Sequence, residues 1–212
     1  MKDKFEQRSY TFEIKAEQNE EGIGIIRGRP IVYNQRTDLG YFYEVIESSA
    51  LDGANLRDVR FLVNHDLSKI PLARSRRNTP NSTMQLSVDA EGLAIRVMLD
   101  TENNAEAKAL YSAVQRGDIS GMSFMFGIND EEWSDIESDH PTRHIREIST
   151  VVEVSAVTFP AYKDTTIDAR SDDAMEIAKK ALENARSALH KDSVDTELNL
   201  LQLKTESLFL GR

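Results

Sequence analysis

Between residues 121 and 127 the chain reads Gly-Met-Ser-Phe-Met-Phe-Gly, and this stretch restricts the fold most. A strand has a side-chain period of two, so Met122, Phe124 and Phe126 fall on one face and Gly121, Ser123, Met125 and Gly127 on the other. The apolar face belongs in a core. The second face is small, and its hydroxyl points away from both phenyl rings. Glycines beside it permit a close backbone approach that a side chain would block. A serine with such neighbours has the access a nucleophile needs.

Most of the remaining sequence also reads as strand. Tyr10, Phe12 and Ile14 alternate with polar residues, and Glu17 to Gly22 is a turn into Ile23 to Ile26, resumed after Pro30 by Ile31, Val32 and Tyr33. Asn34 to Gly40 reads as a loop and Tyr41 to Ile46 as a strand. Ser48 or Ser49 is set to cap a short helix through about Leu56. Val59 to His65 alternates again, with Val59, Phe61, Val63 and His65 on one face. Thr83 to Val88 and Leu93 to Leu99 form a second hairpin across Asp89 to Gly92. Residues 129 to 141 read as an acidic loop, with Trp133 folding back on the body. Thr142 to Thr158 is a long β-rich run that ends at Phe159-Pro160-Ala161-Tyr162, where proline stops the ladder. Helical spacing appears at Ala107, Leu110, Ala113 and Val114, ending before Gly117. It returns from about Arg170 through Ala174, Ile177, Ala178, Ala181, Leu182 and Ala185, with a second helix over Val194 to Leu210.

The 212 residues allow one core and an extension with its own composition, so we divide the chain at about residue 170. A formal charge of −10 argues against the phosphate backbone of nucleic acid as a direct partner. Without cysteine there is no disulfide framework, thiolate nucleophile or cysteine metal site, which points to a reducing compartment. No apolar run approaches the ~18 residues of a membrane span, and the first residues lack the apolar centre of a signal peptide. We therefore expect a cytoplasmic protein with no membrane partner, cofactor or metal.

A serine hydroxyl needs a base within hydrogen-bond reach, for which histidine has the best-placed unperturbed pKa. Of the four histidines, His65 is the strongest candidate because it ends an apolar strand beside a loop, at the rim of a rigid element. Glu153, inside the apolar run 151–157, needs a partner for its charge and is our candidate for the group that orients the imidazole. His144 competes for that third role. In an unbroken strand His144 and Glu153 point to opposite faces, so both serve one site only across a bulge. The oxyanion donors are backbone amides near Ser123 in the simplest case, with Arg116 and Arg74 as charged alternatives. Each residue taken alone has a plainer explanation: a spaced core serine, a structural histidine, a glutamate paired with Arg146. Arg74-Ser75-Arg76-Arg77 reads as a solvated basic loop. The strand around Ser123 also lacks the second glycine of a nucleophile elbow, so an α/β-hydrolase is not supported.

The ordered set Leu62-Val63-Asn64-His65-Asp66, Glu91-Gly92-Leu93, Arg116 to Phe124 and Glu153 to Tyr162 resembles the prohead (capsid maturation) proteases of tailed phages, the HK97 type. The resemblance covers about residues 8 to 170, and Glu44-Val45-Ile46 before Ala50-Leu51 is similar to the family's early strand. It implies a mostly β fold with some α, a β-barrel like that of the herpesvirus assembly proteases, flanked by helices and followed by a helical C-terminal tail. It also implies a serine endopeptidase with His65 as general base, Ser123 as nucleophile and Glu153 as third member, although the herpesvirus relatives use a second histidine there. By the same resemblance the enzyme acts in the host cytoplasm, inside the immature capsid. It cuts the scaffolding protein or the scaffold-like segment of the major capsid protein, and itself. The tail, residues 171–212, would bind scaffold or capsid subunits, or dimerise. The alternative is a non-enzymatic assembly protein on the same fold.

Overall fold

Alternation of apolar and polar residues becomes strand at intervals from Glu6 to Val157. The structure, a computed structural model, describes residues 5–10, 14–20, 22–158 and 179–188. In chain order its elements are β1 (Glu6–Tyr10), β2 (Lys15–Gln18), β3 (Gly24–Val32), β4 (Thr37–Asp38), β5 (Tyr43–Ile46), β6 (Asp58–Val63), β7 (Ala73–Arg76), β8 (Met84–Asp89), β9 (Gly92–Leu99), α1 (Ala105–Arg116), β10 (Gly121–Ser134) and β11 (Thr142–Val157). Residues 179–188 are helical as well. The strands make two sheets. The larger runs β1-β10-β11-β5-β4, with β6 on β11 and β7 on β6; the smaller runs β2-β3-β9-β8.

The spine of the larger sheet is β11. On one edge it pairs antiparallel with β10 from Thr142 to Val157. On the other it takes two parallel partners in turn, β5 beside Thr142 to Ile145 and β6 beside Glu153 to Ala156. Register shifts between Met125 and Phe126 and again around Ile128 let this long hairpin bend instead of extending flat. Met122, Phe124, Phe126, Phe61 and Val154 then meet Ile26, Ile31, Leu93 and Val97 of the smaller sheet in one core. Phe124 and Phe126 lie with ring centroids 4.9 Å apart. Ala107, Leu110 and Val114 of α1 join the same core. Asn104 caps this helix by accepting from the amides of Glu106 and Ala107, and Gly117, at φ 78°, ends it in the left-handed conformation that glycine adopts without strain.

The barrel implied by the resemblance is corrected: the ladders among the described residues form two open sheets. Where β7 and β8 approach, side chains replace the ladder. The Thr83 hydroxyl accepts from the Arg74 amide and donates to the Arg74 carbonyl, and the Ser82 hydroxyl accepts from the Arg76 amide. Backbone groups at this seam are thus satisfied without joining the sheets.

Three local expectations also change. No helix runs from Ser48 to Leu56. Ser49 sits at φ 72°, successive three-residue turns follow, and the Ala50 carbonyl accepts from Ile148 on β11, so it is unavailable to a helical ladder. Residues 129–141 are mostly strand and turn, because β10 continues to Ser134 against the start of β11. Arg74 to Arg76 lie in β7 and not in a loop, with Arg74 held by Asp58 at 2.6 Å. The Trp133 expectation holds, since the indole packs on Phe42 with centroids 5.1 Å apart. In the tail, Lys179 lies over Tyr41 and Arg186 donates to the carbonyls of Ile136 and Ser138. The Phe159 to Tyr162 turn and the Val194 to Leu210 helix lie outside the described residues.

Candidate active site

Strand register assembles the site. Opposite Ser123 stand Ser9 of β1 on one side and Ser155 of β11 on the other, and Leu62 of β6 follows opposite Ser155. Residues paired directly across a ladder share a face, so Ser9, Ser123, Ser155 and Leu62 form one row over four strands. The neighbouring row, with Phe124, Val154 and Phe61, faces the core. The hydroxyl of Ser123 therefore points away from both phenyl rings, as the sequence alternation requires.

His65 reaches this row only because the chain turns sharply after β6. Simple alternation would have set it on the face of Val59 and Phe61. Instead Asn64 and His65 adopt φ 51° and 58°, which re-aims the imidazole. Left-handed backbone costs a non-glycine residue ~1–2 kcal/mol, less for Asn than for most. Hydrogen bonds offset that cost: the Asn64 amide donates to the Ala156 carbonyl at 3.0 Å, its side-chain carbonyl accepts from the Thr158 amide at 2.9 Å, and the His65 amide donates to the Ser155 hydroxyl at 3.1 Å.

The result is a hydroxyl, an imidazole and a carboxylate in line. His65 Nε2 lies 2.5 Å from Ser123 Oγ, and His65 Nδ1 lies 2.5 Å from Glu153 Oε1. Glu153 Oε2 accepts from the Ser155 hydroxyl at 2.6 Å, so both oxygens of this fully buried carboxylate are engaged. Burial of an unpartnered carboxylate would be prohibitive, and these two bonds make it tolerable. The His65 side chain retains 15% exposure and is the open side of the cluster. Ser123 Oγ has two further partners: it donates to the Arg8 carbonyl at 2.7 Å and accepts from the Ser9 hydroxyl at 2.8 Å. It has a single proton for Arg8 and Nε2, so rotation of one O–H bond decides whether the imidazole can take that proton.

Ser123 of β10, Glu153 of β11 and His65 of the turn after β6 thus come together. His144 does not join them; it contacts Ser134 at 2.9 Å and Glu47 at 3.1 Å, at the opposite end of β11. Arg116 pairs with Asp118 and Arg74 with Asp58, so neither is directed at Ser123. Arg146, the plain partner for Glu153, contacts Glu132 instead. Sequence reasoning missed Ser9, which lies 114 positions from Ser123 and carries no local signal. It also gave no role to Ser155, although the pattern Glu153-Val154-Ser155 puts both side chains on one strand face. Among the described residues, no group of three or more His, Cys, Asp or Glu is arranged to hold a metal.

The same strands bury a second polar cluster on their other side. Arg8 binds Glu44 at 2.5 and 2.7 Å and Glu6 at 2.5 Å. Arg143 binds Glu6 at 2.8 and 3.0 Å, Glu44 at 3.3 Å and Glu131 at 2.9 Å. Burial alone would raise the pKa of Glu6, but the charges and hydrogen bonds of Arg8 and Arg143 prevail and hold it down at about 2.

The fold and site define a mostly β protein with a serine–histidine–glutamate line that joins two strands and the turn after a third. A family model described as caudovirus prohead serine protease matches residues 10–180, and the chain belongs to that family. It is 29% identical over 150 residues to the prohead protease of Enterobacteria phage HK97, a match over 69% of this chain; the chain spans 60% of that relative's length. Among solved structures, the bacteriophage T4 capsid assembly protease is similar at 12% identity with a TM-score of 0.39, covering 73% of this chain and 99% of that one.

Proposed function

We propose that this chain is a serine endopeptidase of capsid maturation. The observation that carries the reading is the line from Ser123 Oγ through the His65 ring to Glu153, with both contacts at 2.5 Å. His65 Nε2 takes the Ser123 proton as Oγ attacks the scissile carbonyl. The imidazolium returns that proton to the leaving amine, and an acyl-enzyme remains. Water, deprotonated by the same ring, then releases the acid and restores Ser123. Glu153 holds Nδ1–H and stabilises the charged ring, while Ser155 fixes Glu153 and the His65 backbone together.

Family membership extends this reading to substrates. The enzyme is packed in the prohead in the host cytoplasm, where it cuts the scaffolding protein or the scaffold-like segment of the major capsid protein. Residues 1–170 act as the protease domain. Residues 171–212 are an extension that binds those partners, or a second copy, and is itself cut. The test is intact mass over time of the purified chain, wild type beside Ser123→Ala, with and without co-expressed capsid or scaffold protein. Cuts in the tail or partner should vanish in Ser123→Ala, with a loss of roughly 10⁴-fold or more in rate. If neither chain is ever cut while the partner assembles normally, the protein is an assembly factor and not a protease.

A further inference from the structure

A groove of about 440 Å³ opens between α1 and the chain leaving β6. Leu62, Leu72, Leu110, Ala113 and Ile119 line it, and Lys69 and Glu106 at its rim neutralise each other at 2.7 Å. It therefore has no cationic site for a phosphate, and its walls suit hydrocarbon. Two of the large hydrophobic side chains left exposed among the described residues, Leu67 at 60% and Ile70 at 83%, fall in the loop directly after His65. Ile70 lines the groove itself.

The groove borders the chain on both sides of His65. Asn64 and Asp66, both in its lining, flank His65 in the chain. Leu62 belongs to the same row as Ser123, separated from it by Ser155, so two strand spacings put it ~10 Å away. An extended peptide advances ~3.3 Å per residue and covers that distance in about three residues. We propose that the groove receives a large apolar side chain of the peptide being cut, at one fixed position within about three residues of the scissile bond. This inference rests on the protease reading above.

The probe is a peptide digest of a denatured bacterial proteome, treated with wild type, Ser123→Ala and Ala109→Trp, with new termini identified by mass spectrometry. Ala109 lines the groove from an exposed position of α1, so tryptophan there fills the groove without replacing a core residue. Wild type should make Ser123-dependent cuts enriched for Leu, Ile, Met or Phe at one position. In Ala109→Trp, cutting at those sites should fall by roughly tenfold or more, the usual worth of an apolar pocket. Labelling of Ser123 by a small fluorophosphonate reports whether that variant is folded; if it is not, Ile70→Ser, at an exposed loop position, must weaken the same preference. Labelling together with cuts that ignore apolar side chains, with no peptide cuts at all, or with a preference unmoved by groove variants overturns the groove alone. Absence of both labelling and Ser123-dependent cuts overturns the protease reading and the groove with it.

Discussion

The two buried polar clusters occupy opposite faces of the same strands and differ in one respect that decides their use. Around Arg8 and Arg143, three carboxylates surround two guanidinium groups, and each charge has fixed, opposite partners. Nothing there is left to transfer, so the cluster ties β1 and β5 to the β10–β11 hairpin. Around Ser123, one hydroxyl meets two acceptors and one donor, and its single proton can serve only one acceptor at a time. Burial is similar in both clusters. Saturation suits the first to anchor the strands, and a proton shared between two acceptors suits the second to the proton transfer proposed above.

The most severe way to test this contrast is Glu153→Gln. It keeps the shape of the side chain but removes the charge that stabilises the imidazolium, so single-turnover cleavage should slow by roughly 10³–10⁴-fold while the denaturant midpoint barely moves. Unchanged cleavage would remove Glu153 from the proposed mechanism. Arg143→Met should do the reverse. Stripping one guanidinium from the anchor leaves buried carboxylates undercompensated, at a cost of about 3–5 kcal/mol in denaturant unfolding, with Ser123 still labelled wherever the variant is folded. A stable Arg143→Met would mean that the anchor is dispensable.

Acid gives the smallest effect. The Glu6 carboxyl lies at about 2 in the folded chain against an ordinary 4.5, so its contribution is complete above the unfolded value and is lost as pH falls from about 4.5 toward 2. A shift of this size corresponds to roughly 3 kcal/mol. Circular dichroism across that range should show wild type losing stability more steeply than Glu6→Gln; parallel curves would detach Glu6 from the ion network.

Local patterns in the sequence anticipated the elements whose physics is local. The β8–β9 hairpin, α1 with its Gly117 terminus and the alternation around Ser123 follow from period and capping alone. Expectations failed where a distant partner intervened. Ser48 to Leu56 has helix signals, yet the Ala50 carbonyl is taken by Ile148. The acidic stretch after Gly127 reads as loop, yet pairing with β11 carries it on as strand to Ser134.

For the candidate site, the sequence by itself determined which face of the 121–127 strand carries a hydroxyl and that His65 and Glu153 were groups to join it. It left Glu153 and His144 as rivals and set His65 on the wrong face. The fold places Glu153, and not His144, against His65, and it turns that ring to Ser123. Ladder register puts Ser155 and Glu153 near Ser123 and leaves His144 at the far end of the strand, and two left-handed residues held by β11 turn the imidazole toward Ser123. Side-chain alternation is a property of a few consecutive residues. Register and left-handed turns are stabilised by partners from other strands, and those partners exist only once the chain has folded.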